Sequence, residues 1–305
     1  MEENLLFSNR RCNDFLNEED ILKSGLIKLL NGNISFNGEG VRLFKFFEKF
    51  TEEIAREMEC EEKKYPLLLP NEVLEKARYL YKYSHHCILC EEVDADIKKI
   101  SDKLSDTNFI TINDVISSGV KHADYSLSPS ACYHTYLDYE NQILDTPIKI
   151  SFQQNVCRNE GDKIKTDSFG RFTCYNIREL VFIGSEEYVR KNLSMAEELI
   201  KRKFIEMNFS FDIEKASDSF ALPESEIVER MQLARDVKHE IRTHYSNGKS
   251  LAVASINYHD ESFSKPFKIC VNNTKKTVSG CIGFGIERLV LTYLSQFGSK
   301  LIKNN

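Results

Sequence analysis

No stretch of the 305-residue chain approaches the roughly 18 consecutive apolar residues of a membrane-spanning helix. The opening residues, MEENLLFSNRRCNDF, lack the apolar core of a secretory signal, so a cytoplasmic location is expected. The Asn-x-Ser/Thr triplets at Asn33, Asn192, Asn208 and Asn272 then carry no glycosylation signal. A basic excess is also missing. With 41 Lys and Arg against 47 Asp and Glu, the net charge of −6 disfavours a protein built mainly to grip a phosphate backbone. There is no internal repeat, low-complexity tract or linker, and 41% hydrophobic with 29% charged residues is ordinary globular usage. One domain spanning 1–305 is expected, at the upper end of what a single core can fill.

Nine cysteines is an odd number in a chain without an export signal, which argues for thiols rather than a disulfide framework. His85-His86-Cys87-Ile88-Leu89-Cys90 contains a C-x-x-C, but no second pair completes a tetrahedral zinc site. It reads as two buried thiols beside surface histidines.

Leu43, Phe44, Phe47, Ile54 and Met58 recur at helical steps between charges and predict an amphipathic helix over 41–58. Residues 65–70, YPLLLP, read as a short buried strand, followed by a helix over 72–80 capped by Asn71. Residues 1–35 show no clear period, and 85–125 read as small strands and turns. Ile148–Arg158 and Arg171–Ile183 are β-rich runs joined by a long polar tip, a hairpin. Helices are predicted over 186–203 and from Pro223 to about Val237, making 186–240 a helical insertion. Asn247-Gly248 marks a tight hairpin turn. A strand over 277–284 and a helix from Gly285 complete the pattern. Strands joined by hairpins rather than helical crossovers imply an α+β fold, an antiparallel sheet flanked by helices.

Gly280-Cys281-Ile282-Gly283-Phe284-Gly285-Ile286-Glu287-Arg288 has the wrong glycine spacing for a dinucleotide fingerprint. Glycines at a strand–helix junction instead let backbone approach a flat ring or phosphate closely, with an arginine in the first helical turn as a fixed cation. Arg158 and Glu160, two apart on an extended strand, share a face. With Arg171 on the return strand, two arginines around one concavity suit a triphosphate, and Glu160 can accept from an exocyclic amine.

V-C-R-N-E (156–160), G-R-F-T-C-Y-N-I-R-E (170–179) and G-F-G-I-E-R (283–288) resemble motifs two and three of class II aminoacyl-tRNA synthetases. The resemblance implies an antiparallel synthetase-like sheet, with ATP held by Arg158, Glu160, Arg171, Gly285 and Arg288. Arg158 and Arg288 are then the catalytic residues, and Ser255 or Asn257 would help hold Mg²⁺ or substrate. L-S-P-S-A-C (127–132), K-A-S-D-S-F (215–220) and S-I-N-Y-H-D-E-S-F (255–263) are similar to the amino acid:[carrier protein] ligases, truncated relatives of zinc-dependent seryl-tRNA synthetases. That closer resemblance implies a zinc ion on Cys132, Glu179 and Cys281, and two thiolates with one carboxylate leave one tetrahedral position for an amino group.

The implied activity is ATP-dependent activation of a small amino acid (glycine, alanine or serine) and transfer to the phosphopantetheine thiol of an acyl or peptidyl carrier protein, by a homodimer. The alternatives are a seryl-type synthetase acting on tRNA and a non-catalytic paralogue with a regulatory role. A coiled-coil arm and an anticodon-binding domain are not recognised in the sequence, so tRNA is the less expected acceptor. For an acidic carrier, the basic run Arg190, Lys191, Lys201, Arg202 and Lys203 offers one docking face, and the insertion over 221–240 is another. Asn159 stands where the family usually has histidine or tyrosine, and Ser219-Phe220 lacks the usual following glycine–arginine run. Lys238, Glu240 and His259 fall at patterned positions without an assigned role.

Overall fold

The structure is a computed structural model. It describes residues 4–94, 98, 99, 101, 102, 109–161, 169–218, 225–246 and 248–298. Its centre is an eight-stranded sheet of β1 (Leu5–Asn9), β2 (Glu61–Glu62), β3 (Ile148–Cys157), β4 (Cys174–Gly184), β5 (Phe211–Lys215), β6 (Lys238–Tyr245), β7 (Lys249–Asp260) and β8 (Val278–Gly285). The spatial order is β1-β5-β6-β7-β8-β4-β3-β2. Every pairing is antiparallel except the short parallel contact of β2 with β3.

The hairpin expected from the sequence is β3–β4, in continuous register from Cys157↔Cys174 to Ile148↔Ile183. Its tip, 162–168, lies outside the described residues, as do Pro223 and Asn247 of the other predicted turn and helix start. Alternation along β4 and β8 divides the sheet into two faces. Leu180, Phe182, Ile282 and Phe284 pack beneath the long helices, whereas Val181, Ile183 and Cys281 face a second cluster with Tyr133, Tyr136 and Phe152.

Three long helices cover the first face. Helix α1 (Glu39–Glu57) buries Leu43, Phe47, Phe50 and Ile54, successive turns of the predicted apolar stripe. Helix α3 (Glu186–Glu206) starts at Ser185, whose hydroxyl accepts from the Tyr188 amide, and buries Val189, Leu193, Ala196 and Ile200. It lies so close to β8 that a Cβ at Gly280 would come within 2.8 Å of Leu193 and 2.9 Å of the Asn257 carbonyl. Helix α5 (Ile286–Phe297) continues directly from β8 and buries Leu289, Val290 and Leu294, each contributing roughly 1.5–3 kcal/mol. The second face carries the short helix α2 (Tyr133–Asp138) and a three-stranded antiparallel sheet of 68–70, 120–127 and 88–93.

Several local expectations change. The helix after Pro70 ends at Lys76, Pro70 rather than Asn71 is its N-cap, and a separate turn of helix follows over Tyr79–Tyr83. Within 85–125 a helix forms over Ile112–Ser118, closed by a capping box between Thr111 and Asp114. The 186–240 segment contains two helices, α3 and α4 (Ser225–Arg235), but β5 of the main sheet runs between them. Cys87 and Cys90 are partly exposed rather than buried. Among the described residues no helix is long and apolar enough to cross a membrane.

Candidate active site

A cleft of about 900 Å³ opens over the second face of the sheet, and all the residues singled out for ATP and metal line it. The strand register explains why. Glu179 on β4 faces Gly283 on β8, Gly283 faces Ser255 on β7, and Ser255 faces Glu240 on β6. The next row of the same face runs Cys281, Asn257, Lys238. Two rows across four strands therefore bring together residues distant in sequence.

Cys132 enters from the other side, at the N-terminus of α2. One ligand atom from each of Cys132, Glu179 and Cys281 lies within 4.8 Å of the other two. The three residues are 4%, 5% and 3% exposed, so solvent does not screen them. Among the described residues this is the one group of three or more potential ligands so close together. Burial pushes the Glu179 carboxyl up to about 7, and Cys132 together with burial pushes the Cys281 thiol well up. Among the described residues no cationic side chain pairs with the Glu179 carboxylate. Three acidic groups packed out of water, with only the more distant Arg158 cation easing Glu179, are costly as anions, and a bound dication would reverse that balance. Two sulfurs and one oxygen also fit zinc's donor preferences. The donor set is therefore suited to the metal implied by the sequence.

Further groups surround the trio. His259 Nε2 lies 3.6 Å from Cys281 Sγ, while its Nδ1 is 3.0 Å from the Tyr136 hydroxyl and 3.3 Å from that of Ser279. Asn257 Nδ2 donates to Ser255 Oγ at 3.2 Å and sits 3.8 Å from Cys281 Sγ. These contacts orient the thiol rather than add a ligand.

The arginines occupy the adjoining part of the cleft. Arg158 donates from Nε to the Pro129 carbonyl at 2.7 Å, its backbone N–H donates to Thr173 O at 2.7 Å, and its guanidinium lies 5.8 Å from the Tyr175 ring centre. The loop that carries Cys132 thus also fixes Arg158. Arg288 donates from Nε to Gly170 O at 2.8 Å and from Nη1 to Ala252 O at 2.9 Å. Arg171 lies 3.6 Å from Glu160. Burial holds Arg288 below the usual guanidinium range, and the neighbouring Arg158 and Arg171 cations act in the same direction. Such crowding of positive charge suits a polyanion.

Sequence reasoning missed several positioning groups. Glu287, beside Arg288, accepts both the backbone and side-chain N–H groups of Asn176 at 2.9 Å, tying the start of α5 to β4. Burial raises its carboxyl to about 7. Lys238 is held by Asp218 at 2.6 Å and Glu240 at 3.4 Å, and Asp218 is bound in turn by Gln232 of α4. Lys238 and Glu240 fall at patterned positions of the sequence without an assigned role, and Asp218 lies in the K-A-S-D-S-F stretch (215–220) that carries the resemblance. Four of the five cations expected to form a basic face on α3 are paired: Arg190 with Glu186, Lys201 with Glu198, and Arg202 and Lys203 with Glu57.

The chain is 27% identical over 272 residues to the type-2 serine–tRNA ligase of Methanocaldococcus jannaschii, covering 84% of this chain and 51% of that protein. The chain is thus similar in sequence to a type-2 serine–tRNA ligase. Amino acid–[acyl-carrier-protein] ligase 1 of Bradyrhizobium diazoefficiens is 25% identical over 252 residues, covering 81% of this chain and 74% of that protein. Among solved structures, M. kandleri SerRS in complex with A. aeolicus tRNASec superposes with a TM-score of 0.83 at 21% identity, covering 97% of this chain and 60% of that chain. That likeness establishes the class II synthetase fold. The chain spans about half the length of the type-2 serine–tRNA ligase it matches. No protein-family profile matches it.

Proposed function

We propose that the chain activates a small amino acid with ATP and Mg²⁺, then transfers the aminoacyl group to the phosphopantetheine thiol of a carrier protein. The observation that carries this reading is the meeting, in one cleft, of the Cys132–Glu179–Cys281 donor set with Arg158, Arg171 and Arg288. Cys132, Glu179 and Cys281 would hold a zinc ion, which would supply a Lewis-acid site for the free amine of a short amino acid.

The chain's own groups then set the geometry. Arg158, braced from behind by Pro129 O, and Arg288, braced by Gly170 O and Ala252 O, need little reorganisation to meet phosphate oxygens. Glu160 accepts from the adenine amino group, and Arg171 meets the triphosphate. Ser255 and Asn257 hold Mg²⁺ or substrate beside them. The amino acid carboxylate attacks the α-phosphorus, the α–β bridging bond breaks, and pyrophosphate leaves. Positioning and charge neutralisation account for the rate, with no covalent enzyme intermediate. The acceptor thiol then displaces AMP from the acyl carbon.

The similarity to an amino acid–[acyl-carrier-protein] ligase supports a carrier as acceptor. The slightly higher identity to the M. jannaschii serine–tRNA ligase supports a second reading, with tRNA as acceptor. Pyrophosphate exchange screened over all amino acids tests the first step. Labelled product on a phosphopantetheinylated carrier, and none on tRNA, is expected at the second; the reverse outcome selects the other reading. The reading carries a homodimer with it, measurable by light scattering.

A further inference from the structure

Cys157 and Cys174 are directly opposite one another on β3 and β4, the last paired rung before the hairpin tip. The Cys157 N–H donates to Ser128 O at 2.8 Å and the Cys174 N–H to Asn33 Oδ1 at 3.0 Å, so neither amide crosses the rung. That makes it a non-hydrogen-bonded pair, in which Cα atoms sit roughly 4.5 Å apart and side chains are closest. The spacing falls within the window of roughly 4.4–6.8 Å that a disulfide spans. The two thiols are close enough that each shifts the other's pKa, raising Cys157 and lowering Cys174. They point to the opposite sheet face from Tyr175, Ile177 and Glu179, and so are separate from Cys132 and Cys281.

We propose that Cys157 and Cys174 form a dithiol modification site at the base of the nucleotide hairpin, which a small hydroperoxide converts to a cross-strand disulfide. Cys174 is the attacking sulfur because it is partly exposed while Cys157 is buried. The neighbouring Cys157 thiol also lowers that of Cys174, outweighing burial. The Cys174 thiolate attacks the peroxide oxygen; the S–O bond forms, the O–O bond breaks, and the leaving oxygen is protonated to water. The Cys157 sulfur then attacks the Cys174 sulfenic acid, loses its proton, and releases a second water. Two thiols and one hydrogen peroxide give one disulfide and two waters. Cys157 immediately precedes Arg158, and Cys174 follows Thr173, whose carbonyl accepts the Arg158 N–H. The cross-link would fasten the two strands directly beneath the cation assigned to the α-phosphate.

The test is thiol counting and peptide mapping of the full chain after brief hydrogen peroxide treatment. The expected result is loss of two of the nine thiols, a Cys157–Cys174 linked peptide, and full recovery with dithiothreitol. Cys174→Ser and, separately, Cys157→Ala should each abolish that link, while Cys90→Ala should keep it. Cys90 is the rival partner, since it lies near enough to influence Cys157. A Cys90–Cys157 link, or a Cys174 sulfinic acid with Cys157 still free, would overturn the proposal. The readout is mass alone, so it stands or fails independently of the proposed activity.

Discussion

A Cβ at Gly283 would lie 3.2 Å from Oε2 of Glu179, its cross-strand neighbour on the cleft face. The glycine is thus a space requirement of the carboxylate, not only of a backbone approach to nucleotide. Gly283→Ala should displace the carboxylate by a few tenths of an ångström and weaken zinc binding roughly 10- to 100-fold, as loss of a ligand's supporting contacts does elsewhere. Competition against a zinc chelator measures this, with circular dichroism expected to be unchanged.

Arg158 donates to Pro129 O from Nε, a nitrogen that lysine lacks. Arg158→Lys keeps the charge but loses both the brace and the planar fork. Pyrophosphate exchange should fall roughly 100-fold or more, close to the loss in Arg158→Ala. Near-wild-type exchange in the lysine variant would show that charge alone suffices.

His239 on β6 is hydrogen-bonded to Glu197 of α3 and to Asp236, and its pKa is raised, first by Glu197. A histidine with a raised folded-state pKa stabilises fully below its unfolded value, roughly 6.5, and loses that contribution as pH climbs through the folded value. Wild type should therefore lose about 1–2 kcal/mol relative to His239→Gln as pH rises from about 6 to 9. Urea denaturation of both across that range provides the check.

Lys238 is poised between Asp218 and Glu240 with 13% of its side chain exposed. Its attraction to them keeps the ammonium charged despite burial. Lys238→Met leaves two carboxylates facing each other and should cost roughly 1–3 kcal/mol. Asp218→Asn in the same chain should restore part of it, which a double-mutant cycle would detect.

The two β-strands of the hairpin, the apolar stripe of α1 and the glycine-rich entry to α5 were legible because each is a local pattern of period two or 3.6. Arg158 and Glu160 do share the cleft, but β3 ends at Cys157 and both lie beyond it, so strand alternation is not what brings them together. The convergence of Cys132, Glu179 and Cys281 was not, because it depends on the β4–β8 register and on where α2 packs, both products of tertiary pairing. The resemblance to known motifs supplied what spacing could not. The capping box at Thr111–Asp114 was a local signal passed over. The compensated charge of α3 could not be read from its lysines and arginines, since Glu57 reaches Arg202 and Lys203 from another helix.

The central claim is that the buried trio holds the metal on which amino acid activation depends. Zinc content and amino acid-dependent pyrophosphate exchange, measured together on wild type and Cys281→Ala, test it most directly. The account predicts one zinc per wild-type chain and simultaneous loss of zinc and exchange in the variant. Wild-type chain stripped of metal that still exchanges pyrophosphate at its full rate would contradict it.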